Sequence, residues 1–271
     1  MRRFLTAKSL VGLVIILAVA AVAMIAPMLI PQSLATQMHM ALRLRPPSGE
    51  HWLGTDQLGR DLLYRVLLGT RTSLTIAGSA VAISIAFGLP LGIVSGYLGG
   101  WFDTVLMRVV DAMLSFPALL LALTISAMLG SSVTNTIIAI GVAFTPFLAR
   151  IIRGEALRVA QMPYVEAARA GGTSDLAMIV RHVFPNVLPL VIVQGTISLA
   201  FAVLAEAGLS FLGLGTQPPQ SSWGLMIQAS RDYLDVAPWT AIVPGAAVAL
   251  TVLALNMFGD VLRDVLDPRT R

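Results

Sequence analysis

Few side chains in this sequence have the type and spacing to make or break a covalent bond. The histidines are His39, His51 and His182, and no pair of histidine or carboxylate ligands shows metal spacing. Cysteine is absent, which removes thiolate zinc sites, cysteine nucleophiles and disulfide frameworks. Gly208-Leu209-Ser210 offers a serine in an apolar setting, but no His or Lys at membrane depth stands ready as its base. A P-loop needs Gly-x-x-x-x-Gly-Lys-Ser/Thr because its lysine must reach the phosphates. The one lysine, Lys8, has no such context. Gly213-Leu214-Gly215 is a lone glycine pair with no strand before it, and reads as a turn. The chain is therefore expected to be non-catalytic and to bind no metal or cofactor itself. If it runs on ATP, another polypeptide must hold the nucleotide.

Three charged residues fall inside apolar stretches, where charge is costly and points to function. Arg108 and Asp111 are three apart on one helical face, so they could pair with each other near a membrane boundary or face a translocation path. Glu206 could cap backbone near the outer interface, or line the substrate path or an outer gate.

One polar stretch, Arg153 to Pro185, has content of a different kind. Pro163 ends what precedes it. Tyr164-Val165-Glu166-Ala167-Ala168-Arg169-Ala170 is a short helix of mostly small residues, and Gly171-Gly172 breaks it. Thr173, Ser174 and Asp175 offer an N-cap for a second amphipathic helix through Val183. An alanine-rich helix before a glycine corner makes a good docking knob, since small side chains let its backbone sit deep in a groove. Glu166 and Arg169 supply charge at its edge. The alternative is an ordinary loop helix resting on the membrane surface.

The elements that must position these residues follow from composition. The 271 residues are 56% hydrophobic and 12% charged, with a mean hydropathy of +0.83. One soluble core could not hide so much apolar surface, so lipid is the solvent for most of the chain. Long unbroken apolar runs select helices over a barrel of alternating strands. The expected fold is all-α, a single transmembrane domain over residues 1–271. Its spans lie at about 9–30, 72–98, 104–129, 133–152, 186–208 and 238–262, with a loop at 153–185. Arg2, Arg3 and Lys8 before an apolar run also fit a signal peptide, but the run is long for one and reads as an uncleaved first span. Gly130, Ser131 and Ser132 form the turn between the third and fourth spans. Pro90, Pro117, Pro146 and Pro244 fall within spans and tend to kink them. Gly88, Gly92 and Gly96 form a small-residue stripe suited to close helix packing.

Orientation follows from the basic residues. With the amino terminus inside, the inner segments hold Arg2, Arg3, Lys8, Arg108, Arg150, Arg153, Arg158, Arg169, Arg181, Arg263, Arg269 and Arg271. The outer segments hold half as many: Arg43, Arg45, Arg60, Arg65, Arg71 and Arg231. Both termini are therefore expected in the cytoplasm. The pI near 10.1 is the same excess, with no basic patch interleaved with aromatics, so nucleic acid is not an expected partner.

The loop resembles the EAA loop of ABC importer permeases: Glu-Ala-Ala, three residues, Gly, then nine residues before Ile-x-Leu-Pro. Glu166, Ala167, Ala168, Gly172 and Pro185 match in register, while His182 and Phe184 replace the Ile and Leu. His51-Trp52-Leu53-Gly54-Thr55-Asp56 with Gly59-Arg60-Asp61, and Ala205 to Gly215, resemble the C-type subunit of dipeptide, oligopeptide and nickel permeases. So do Pro218-Pro219 before Ser222-Trp223-Gly224, and Gly259-Asp260 with Leu262-Arg263-Asp264 and Leu266-Asp267-Pro268-Arg269. The resemblance implies the transmembrane fold of a type I ABC importer in a bacterial inner membrane. It implies that the loop, through Tyr164, Glu166, Ala167, Ala168, Arg169, Gly172 and Asp175, is a coupling helix fitting a cleft on a cytoplasmic ATPase. It also implies a homologous B-type permease partner, two ATPase subunits that hold the ATP and Mg, an extracytoplasmic binding protein, and a peptide cargo. Nickel complexes and glutathione are carried by similar proteins. The rival readings are an ion-coupled secondary transporter, a membrane enzyme acting through Ser210, and an exporter of the same fold.

Overall fold

The computed structural model describes residues 7–266, with side chains described from Leu10 onward. Arg2, Arg3, Arg269 and Arg271 of the charge count, the Lys8 side chain and the Asp267-Pro268-Arg269 motif lie outside the described residues. Among the described residues the chain is all-α apart from one isolated bridge, Thr55 to Asp61. Five helices are long and apolar enough to cross a membrane, and a bent pair makes a possible sixth span.

The first span is α1, Ala7–Leu29. Only 11% of its most apolar window is buried within the chain, so most of its surface is left for lipid or another subunit. A short helix α2, Gln32–Thr36, follows. The 37–61 segment then folds back on the bundle. Asp56 is buried and organises it: its carboxylate accepts from Arg60 Nε at 2.7 Å and from the Leu58 and Arg60 amides, with Arg65 Nε 3.4 Å away. His51 Nδ1 lies 2.8 Å from Asp61 Oδ2, and Trp239 Nε1 donates to the Thr55 carbonyl at 3.4 Å.

Helix α3 runs Leu62–Leu98, starting ten residues before the expected second span. Asp61 caps it by accepting from the Leu63 and Tyr64 amides. Arg65 does not end the apolar run because it is buried against Asp56. At 37 residues the helix is about 55 Å long, well beyond a hydrocarbon layer of about 30 Å. It packs along α6, Val133–Ala160. The glycine stripe makes this close approach possible: a Cβ on Gly92 would sit 2.6 Å from the Ala149 carbonyl oxygen, and one on Gly96 2.6 Å from that of Arg153.

The expected third span is two helices. α4, Gly100–Leu114, and α5, Ala118–Leu129, meet at 87°. Pro117 lacks the amide that would continue α4 and disfavours helical geometry before it, so the chain turns at 115–117 and Pro117 becomes the N-cap position of α5. Pro90, Pro146 and Pro244 are carried inside helices. The 130–132 turn is as expected: Gly130 has φ +88°, and Ser132 caps α6 by accepting from the Asn135 amide.

The fourth span continues eight residues past Ile152, so the loop begins near Gln161 rather than Arg153. Solvated charges do not break a helix, and Glu155 and Arg158 pair one turn apart at 2.5 Å. The fifth span also begins early. α8, Asp175–Met178, a π-turn at Ile179–Val183, and α9, Phe184–Phe211, form one continuous 37-residue span. The widened π-turn precedes Pro185, whose missing amide would leave a regular turn unpaired. α10, Trp223–Ser230, packs on α9 and on the last span, α11, Trp239–Leu266.

Candidate docking site at one end of the bundle

Helix α7, Pro163–Ala170, reproduces the expected knob within a residue. Pro163 begins it instead of ending α6, because proline at the first helical position removes an amide that would be unpaired anyway. A single residue anchors it from below: Val165 is fully buried in an apolar cluster with Ile152, Ala156, Val159, Met178 and Val183. Tyr164, Glu166, Ala167, Arg169 and Ala170 are exposed, and Ala168 is half-buried against the cluster. The outer face therefore offers small side chains rimmed by one acid, one base and one aromatic. Gly172 ends the corner at φ +81°, where its amide donates to the Arg169 carbonyl, and a Cβ added there would meet nothing within 4 Å.

Ser174 takes the N-cap position of α8, but its side chain makes no capping bond. Asp175 instead faces another helix, accepting from the Tyr97 hydroxyl at 2.8 Å. The Arg169 guanidinium lies 5.3 Å from the centre of the Tyr97 ring. Leu176 and Val180, four apart beside α7, are exposed apolar residues (73% and 55%) that widen the surface.

A second set of charges fixes the neighbouring helix ends. Asp103 on α4 accepts both Arg153 Nε and Nη2 of α6 at 2.5 Å, and also the Ser95 hydroxyl of α3. Asp111 does not pair with Arg108. It pairs with Arg150 of α6, since the bend at Pro117 lays α4 against that helix. Arg108 lines an open crevice of about 440 Å³ at the bend, with Val109, Met113 and Phe116.

Glu206 sits apart from these groups, at the far end of α9, and is fully buried. Its Oε1 accepts from the Ser210 hydroxyl at 2.8 Å; Oε2 has no partner. The Ser73 and Ser222 hydroxyls stand beside the carboxyl. Ser210 in turn accepts from the Thr216 amide at 3.2 Å, so this polar cluster ties α3 and α9 to the corner before α10. No open path reaches Glu206 in this conformation, since its accessible surface is zero.

Tyr164, Glu166, Ala167, Arg169, Gly172 and Asp175, singled out from the sequence, are exposed and Ala168 is half-buried, while Tyr97, Leu176 and the two α6 arginines as partners of α4 were missed. Nothing local marks Tyr97: its partner Asp175 lies 78 residues away. The helical spacing of Leu176 and Val180 was a readable signal.

Comparison with known proteins gives one direction. Residues 88–271 match the family described as the binding-protein-dependent transport system inner membrane component. A dipeptide transport system permease protein of Alkalihalophilus pseudofirmus is 41% identical over 263 residues, which is 97% of this chain and 86% of that protein. A glutathione transport system permease protein of Pectobacterium atrosepticum is 41% identical over 225 residues, 83% of this chain and 75% of that protein. The fold is shared with a chain of the MetNI methionine ABC transporter in inward-facing conformations. The TM-score there is 0.63 at 18% identity, covering 76% of this chain and 98% of that one.

Proposed function

This chain belongs to the binding-protein-dependent transport system inner membrane components, and from that premise we propose that it forms half of a peptide-conducting pore driven through α7. It is a permease subunit of an ABC importer. The other half-pore is a homologous B-type subunit. Two cytoplasmic ATPase subunits hold ATP and Mg²⁺ and carry out the hydrolysis, and an extracytoplasmic binding protein delivers the cargo. Both termini and α7 face the cytoplasm, as the basic-residue count favours. Peptides are the favoured cargo because relatives are named for dipeptides and for glutathione, itself a short peptide. Closure of the ATPases on ATP pushes α7, and the bundle alternates between inward and outward openings.

The exposed face of α7 is the observation that carries this reading. Val165 anchors the helix while Glu166, Ala167 and Ala170 stay free on its outer side. A groove can take such a helix deeply without a large side chain to displace. Glu166→Lys and Gly172→Leu should both leave the assembled permease in the membrane and abolish uptake of radiolabelled peptide. Uptake at the wild-type rate in Glu166→Lys would refute docking through α7.

A further inference from the structure

Three helix ends meet at one side chain. Tyr97 is the penultimate residue of α3, Arg169 lies in the last turn of α7, and Asp175 is the first residue of the continuous span through Phe211. The Tyr97 ring is buried in the same apolar cluster that holds Val165 and Met178. Its hydroxyl donates to Asp175 at 2.8 Å, and its ring face carries the Arg169 guanidinium at 5.3 Å. Arg169 and Asp175 both carry the sign that suits their helix ends, a cation at the end of α7 and an anion at the start of α8. The bond to Asp175 is charge-assisted, and the ring contact is a cation–π interaction.

We propose that Tyr97 is a positioning residue that ties two elements to α3, α7 through the ring contact to Arg169 and the start of the fifth span through the hydroxyl bond to Asp175, so that a push on the docking helix moves α3 and the fifth span together. The proposal rests on the docking reading above and adds the route by which force leaves α7. Without the tie, α7 joins the bundle through the chain at its two ends and through the apolar contacts of Val165 and Ala168. The glycine corner is closed by local backbone bonds, from the Gly171, Gly172 and Thr173 amides to the Ala167, Arg169 and Ala168 carbonyls, and none of these reaches α3. Tyr97 supplies the polar link to α3 that these contacts lack. α3 would carry the motion onward, since the Gly92 and Gly96 contacts and the Ser95–Asp103–Arg153 cluster fix its end to α6 and α4.

The test uses the complete transporter in proteoliposomes, with ATP hydrolysis and peptide uptake measured per assembled complex. Tyr97→Phe keeps the buried ring and the cation–π contact to α7 and removes the hydroxyl bond to Asp175, whereas Tyr97→Leu removes both links. Uptake per ATP should fall severalfold in Tyr97→Leu and by a smaller factor in Tyr97→Phe, while hydrolysis continues in both. Asp175→Ala should give the same loss as Tyr97→Phe, and the double variant should be no worse than either single one, because both remove one bond. Asp175→Asn keeps an acceptor oxygen and should recover most of the coupling. Uptake per ATP in Tyr97→Phe equal to the wild type would overturn the proposal, as would additive losses in the double variant. Glu166→Lys run in parallel separates the two readings. If it leaves uptake intact, docking through α7 fails; if it abolishes uptake while Tyr97→Phe stays fully coupled, only the route through Tyr97 fails.

Discussion

At the scale of single residues, the bundle's tolerance is set by how closely backbones approach. Gly92 faces α6 with no room for a side chain: a Cβ would lie 2.6 Å from the Ala149 carbonyl oxygen and 2.8 Å from Ile152. Gly78 on the same helix meets nothing within 4 Å. Gly92→Val is therefore expected to cost about 1–3 kcal/mol through forced separation of α3 and α6. Gly78→Ala should be neutral or stabilising by up to about 1 kcal/mol from helix propensity alone. Thermal unfolding in detergent compares the two; equal midpoints would mean the stripe is not a packing surface. The stripe was readable from its four-residue steps because periodicity alone fixes which positions share a face. The buried bonding of Glu206 was not readable. Whether an acid near a helix end meets lipid, water or hydroxyls depends on Ser73 and Ser222, which come from other elements.

At the scale of elements, most boundary errors share one cause. Charge-free windows report where lipid begins, whereas a helix ends where its backbone stops being paired. α3 and α6 both continue through arginines, some paired like Arg65 and Arg153 and one, Arg71, exposed, because a charge at the lipid boundary leaves the backbone pairing of the helix intact. Pro117 was readable as a kink but not as a break, since nothing in composition separates a kink from an 87° bend. Helix α7 was legible almost to the residue, since proline, small residues and paired glycines punctuate it locally. Placement of the bent pair depends on the Asp103–Arg153 contact, bidentate and only partly exposed. Arg153→Gln should destabilise the protein by about 2 kcal/mol and loosen α4, seen as faster hydrogen exchange across Gly100–Leu114. Unchanged exchange there would assign the position of α4 to apolar packing and the Asp111–Arg150 pair instead.

At the scale of the whole molecule, the chain looks like part of something larger. α1 is mostly unburied, and α4 with the bend exposes Trp101, Val105, Val109 and Phe116. The sequence carries no P-loop, so on the proposed reading force comes from another chain and enters at a surface. The α7 surface lies on the side that the basic residues assign to the cytoplasm. The absence of native cysteine makes this directly testable. Ala167→Cys, labelled with a thiol-specific photocrosslinker in native membranes, carries a reporter at the centre of the exposed face. The account predicts that illumination joins this chain to an ATPase subunit, identified by mass spectrometry of the adduct, and that Glu166→Lys in the same background reduces the yield. Adducts to lipid alone, from a transporter still importing peptide, would contradict it.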